Sequence, residues 1–94
     1  MVLVDRKGAT LIHIDVEITE DGDLLFSGQD IGEAPREFYG DSDYEYWLKI
    51  SAAEKDRVLL ALIEKLHSGN SCVISEMKDF LDAKTIPSEF HSYA

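Results

Sequence analysis

Residues 11–18, LIHIDVEI, alternate without a break, with Ile12, Ile14, Val16 and Ile18 on one side and Leu11, His13, Asp15 and Glu17 on the other. Only a strand holds such a set on one face, because its side chains repeat every two residues. Asp21-Gly22 follows and predicts a two-residue hairpin turn, since a type I′ turn needs positive φ. DLLFSG is then the returning strand. After Gly28 the alternation stops, and Gly32, Pro35 and Gly40 punctuate a long loop. Pro35 can open one short helical turn over PREF, where its missing N–H costs nothing. DYEYWLKI resumes the pattern, with Tyr44, Tyr46, Leu48 and Ile50 on one face and Glu45, Trp47 and Lys49 on the other. Strands over 11–19, 23–29 and 43–50 make an antiparallel meander of three strands, or four if MVLV joins.

Two helices follow. Over 52–67, Ser51 and Glu54 have the spacing of a capping box, and Val58, Leu59, Leu62, Ile63 and Leu66 form an apolar stripe ended by Gly69. Over 72–84, Ser71 is the expected cap, Val73, Ile74, Met77, Phe80 and Leu81 form the stripe, and Pro87 forbids continuation. The tail IPSEFHSYA reads either as a short edge strand or as a docked tail. Strands first and helices after them predict an α+β fold: one domain over 1–94, with both helices packed on one face of the sheet.

Charge narrows the function. Residues 15–45 hold eleven of the nineteen acids and one of the nine bases, so this window carries the whole net charge of −10. Such a field repels nucleic acid and anionic membrane and attracts basic protein surfaces or metal ions. No apolar run is long enough to cross a bilayer. The amino-terminal segment lacks the pattern of a signal peptide, and Cys72, the single cysteine, suits a reducing compartment. A cytoplasmic protein is the expectation.

Catalytic signals are weak. Asp41, Asp43 and Glu45 have the opening spacing of a calcium loop, but Tyr46 and Ala52 stand where its glycine and closing acid belong. Asp30, Asp41 and Asp43 could form a looser divalent site, and loop carboxylates could serve a small hydrolase. His13, His67 and His91 have no zinc spacing. Cys72, near the start of a helix and downstream of His67, lacks an orienting third residue and reads as structural. No phosphate loop or nucleophile elbow is present. No cofactor is expected.

The remaining reading is recognition. Phe38, Tyr39, Tyr44, Tyr46 and Trp47 interleave with acids, the composition of a binding hot spot. Tyr44 and Tyr46 belong with the core, whereas Trp47 is out of phase with them and is expected to pack under the loop from Gly28 to Gly40. The partner-binding set is Asp30, Glu33, Glu37, Tyr39, Asp41, Asp43 and Trp47, and the expected partner is a basic protein surface or a second copy of the chain.

SGQDIGEAPREFYGDSDYEYWLKI also resembles a signature of small, acidic, uncharacterised bacterial proteins in which GQD, P-x-E, GD and YEYW recur in order. FLDAKTIPSEFHSY is similar to their ending, with Thr85 in place of a glycine. The resemblance implies a bacterial cytoplasmic α+β protein and no established activity. By size and charge such proteins are also similar to immunity proteins of toxin systems, which inhibit a basic partner.

Overall fold

A computed structural model of the chain describes residues 1–40 and 42–93, the side chains of Phe38 and Tyr39 excepted. The fold is α+β. Four strands, β1 (Val2–Arg6), β2 (Thr10–Ile18), β3 (Leu24–Gly32) and β4 (Asp43–Ile50), form one antiparallel sheet in the order β1-β2-β3-β4. Helix α1 (Glu33–Tyr39) joins β3 to β4, and α2 (Lys55–His67) and α3 (Val73–Ala83) follow. No helix among the described residues is long and apolar enough to cross a membrane. The chain divides into two compact units, Met1–Leu59 and Leu60–Ala94, each described by itself. The expected packing of both helices on one sheet face concerns the relation between these units and lies outside that description.

The first hairpin departs from expectation by one residue. Ile18 pairs with Leu24, the Thr19 N–H donates to the Asp23 carbonyl, and the Gly22 N–H donates to the Thr19 carbonyl. The loop therefore has three residues, Glu20, Asp21 and Gly22, with Gly22 supplying the positive φ of 85°. The Thr19 hydroxyl closes it by accepting the Asp23 N–H at 3.1 Å.

The loop expected after Gly28 is largely regular structure. β3 runs on to Gly32, pairing with β2 and β4 on its two sides. Gly32 turns the chain out of the sheet at φ 134°, pressed so close to Ala9 that a Cβ would overlap the Ala9 carbonyl oxygen. α1 begins at Glu33, two residues before Pro35, and the Thr10 hydroxyl accepts the Ala34 N–H at 3.1 Å. Pro35 is fully buried, and α1 touches β2, β3 and β4.

Cross-strand register divides the sheet into two faces. Ile12, Ile14, Val16, Phe26, Gly28, Tyr44 and Tyr46 share the apolar face, where Val16 is 8% exposed. The opposite face carries Asp5, His13, Gln29 and Glu45 in one row across the four strands, and Asp15, Ser27 and Trp47 in the next.

Side-chain capping differs from the expected pattern at both later helices. Ser51 makes no side-chain cap; instead Asp23 Oδ1 accepts the Ala52 N–H at 2.8 Å, and Glu54 pairs with Arg57. Ahead of α3, Asn70 replaces Ser71, its Oδ1 accepting the Cys72 N–H at 3.0 Å. α3 ends with Thr85 in the left-handed conformation, φ 58°, doing what a glycine does in that position. The Ile86 N–H donates to the Leu81 carbonyl at 2.9 Å to close the helix end. Residues 86–93 form no strand.

Candidate functional site

The polar face of the sheet gathers the most varied chemistry in the first unit. β2 places His13 and Asp15 two residues apart on this face, and the His13 ring Nε2 lies 2.9 Å from Asp15 Oδ2. The β1–β2 pairing sets Asp5 opposite His13, with Asp5 Oδ1 3.9 Å from the imidazole Nδ1. Gln29, next in the row, donates from Nε2 to Asp43 Oδ1 at 3.0 Å. Ser27 stands between Asp15 and Trp47. His13, Asp15, Ser27, Gln29, Glu45 and Trp47 together line an open depression of about 260 Å³.

Trp47 contradicts the expectation that it is covered. It is 63% exposed. The reason lies in the middle of the chain: residues expected to form a covering loop extend β3 and build α1 instead. The indole stands over a polar rim, a combination that suits cations, because the ring face and nearby carboxylates attract the same charge.

Tyr46, one residue earlier, is built into the fold. Its hydroxyl donates to Asp30 Oδ1 at 2.8 Å, and its ring lies across Gly28, where a Cβ would overlap it. Burial, and then the hydrogen bond to the Asp30 carboxylate, push its phenol above the ordinary tyrosine range. Tyr44 packs beside it, with ring centroids 5.4 Å apart.

The seven residues expected to bind a partner are thereby sorted. Asp43 and Trp47 share the polar face through the two-residue period of β4, while Asp30 faces the other way and accepts from Tyr46. Glu33 and Glu37 are exposed on α1. Asp41 and the side chain of Tyr39 lie outside the described residues. Asp30 and Asp43 leave opposite faces of the sheet, which separates two members of the looser metal triad. No group of three metal-ligating side chains comes together among the described residues. The sequence-derived set omits His13, Asp15, Ser27, Gln29 and Glu45. For His13, Asp15 and Glu45 the outward phase of each strand was the available signal; Ser27 and Gln29 needed the hairpin register as well.

Compared with protein-family models, curated proteins and solved structures, the chain matches none of them.

Proposed function

We propose that the chain is a protein-binding module that applies the polar face of its sheet to a basic protein surface. One observation carries the reading: Trp47 stands 63% exposed in a depression that it shares with Glu45 on its own strand, with Asp15 across Ser27, and with His13 and Gln29. An arginine or lysine side chain fits this chemistry, stacking on the indole and pairing with a carboxylate. The net charge of −10 brings such a partner in and excludes nucleic acid. Masking a basic surface is how a small acidic protein of the immunity type neutralises its target. A single cysteine and the resemblance to small acidic bacterial proteins support a bacterial cytoplasmic setting. A depression this open does not exclude water from a reacting group, which favours binding over hydrolysis.

Trp47 is the only tryptophan, so intrinsic fluorescence reads this site directly. Titration with an arginine-rich peptide should shift its emission at low salt. The shift should fade as ionic strength rises, because exposed charges are screened within ~8 Å at physiological salt. Emission unmoved by the peptide, or a shift indifferent to salt, contradicts the proposal.

A further inference from the structure

β1 and β4 are the two edges of the sheet, and they are defended differently. β1 has five residues, a register irregularity between Val2 and Val4, and Asp5 and Arg6 along it. Short length and a bulge are features by which edges resist pairing, and charge does not separate the two edges, since β4 carries Asp43, Glu45 and Lys49. β4 has eight residues in unbroken register with β3, and neither proline nor glycine interrupts DYEYWLKI.

The phase of β4 is fixed by one bond. The Gly32 N–H donates to the Ser42 carbonyl at 2.8 Å, continuing the register that pairs Asp30 with Tyr44 and Gly28 with Tyr46. Even-numbered residues of β4 thus turn their backbone groups toward β3, and Glu45, Trp47 and Lys49 turn theirs toward the edge. Trp47 and Leu48, adjacent on this strand, are 63% and 61% exposed on opposite faces.

We propose that two copies of the chain join edge to edge through β4, antiparallel, about a two-fold axis at Trp47, to form one eight-stranded sheet. This proposal stands on the outward backbone of β4; Trp47, which carries the recognition of a basic partner, lies on its axis, so the test uses the chain alone, without that partner. Charge complementarity selects the second copy as occupant. With Trp47 opposite Trp47 of the second copy, Glu45 faces Lys49 of the second copy, and symmetry makes the same pair again on the other side. The outward N–H and C=O groups of all three residues find partners in this register, as an isologous interface requires. On the opposite face, Leu48 meets Tyr46 of the second copy, so both exposed apolar side chains of the edge gain cover. Slipping the axis by one residue, to Tyr46, keeps the hydrogen bonds but sets Glu45 against Trp47 and exchanges the reciprocal Glu45–Lys49 pair for Asp43–Lys49, in which Asp43 already accepts from Gln29; reversal of Glu45 therefore distinguishes the two registers.

Sedimentation equilibrium of the full chain, alone in solution, tests this. The wild type should fit a reversible dimer. Glu45→Lys and Lys49→Glu each place like charges opposite one another twice, and each should weaken the dimer about tenfold or more. The double variant Glu45→Lys/Lys49→Glu restores the opposite-charge pairs and should return the dissociation constant to near wild type. Far-UV circular dichroism, unchanged in all three, confirms that each variant is folded, and both positions are exposed. A wild type that stays monomeric at the highest soluble concentration overturns the proposal. So does a dimer indifferent to the single reversals, or one the double variant fails to restore.

Discussion

On one face of the sheet Tyr46 donates its hydroxyl to Asp30 and lays its ring across Gly28. On the other, one residue along the same strand, Trp47 stands 63% exposed in the depression it shares with Glu45 and Asp15. Two large aromatic side chains with similar strand propensity thus have opposite fates, and the pleat decides which is which. On the apolar face the space beside Tyr46 is reserved by the absence of a side chain at Gly28, and its polar atom has a fixed acceptor. Among the described residues, nothing comparable holds Trp47. Burial and satisfied hydrogen bonds mark the face that maintains the fold, and an exposed ring with polar neighbours marks the face available to a partner.

The division between the faces depends most on the glycines of the fold-bearing side. Gly32→Ala should have the largest effect, because φ 134° is hostile to any side chain and the new Cβ overlaps backbone at Ala9. A loss of about 3 kcal/mol or more is expected in urea unfolding. Gly28→Ala should follow at roughly 2–3 kcal/mol, since the Tyr46 ring must move and its hydrogen bond to Asp30 is strained or lost. Little change in Gly28→Ala would mean that the apolar face is not close-packed around Tyr46, and little change in Gly32→Ala that the corner into α1 can give way at Ala9.

Tyr46→Phe sharpens the comparison by removing one atom. Asp30 Oδ1 loses its hydroxyl donor, and about 1–2 kcal/mol of stability should go with it. The phenol also has a pH signature. Its folded-state pKa lies above the unfolded value, so its contribution is complete below the ordinary tyrosine pKa of about 10 and is lost as pH rises through the folded value. Unfolding midpoints compared from neutral pH to above pH 10 should show an alkaline decline that is smaller in Tyr46→Phe.

Trp47→Ala should have the smallest effect on stability, no more than ~0.5 kcal/mol, as expected for an exposed side chain that closes no packed site. A loss of several kcal/mol would move Trp47 to the fold-bearing side and erase the distinction between the faces.

The sequence makes this division only partly legible, and a single turn shows why. The alternation in LIHIDVEI and DYEYWLKI assigns the faces of β2 and β4 without reference to anything else, and Trp47 emerges on the polar side from phase alone. The partners on β3 require the register of the first hairpin. A two-residue turn at Asp21-Gly22 pairs Asp15 with Gly28, whereas the observed three-residue loop pairs Asp15 with Ser27. One residue of slip exchanges the two faces of β3, which is why Ser27 and Gln29 were out of reach. The middle of the chain is hard to read for another reason. Gly28 and Gly32 look like loop punctuation, yet Gly28 is a central strand residue left bare for Tyr46 and Gly32 is the corner into α1. A glycine required by close packing and one required by a turn look alike in sequence. The helix caps failed similarly, since the Ala52 N–H is held by Asp23, from a turn distant in the chain, instead of by Ser51.

The role proposed for Trp47 is recognition and not the fold. Calorimetric titration of Trp47→Ala with the arginine-rich peptide, on protein whose unfolding curve matches wild type, tests it most directly. The account predicts that the variant binds at least about tenfold more weakly, as when a hot-spot aromatic is removed. Wild-type affinity in a stable Trp47→Ala protein would contradict it.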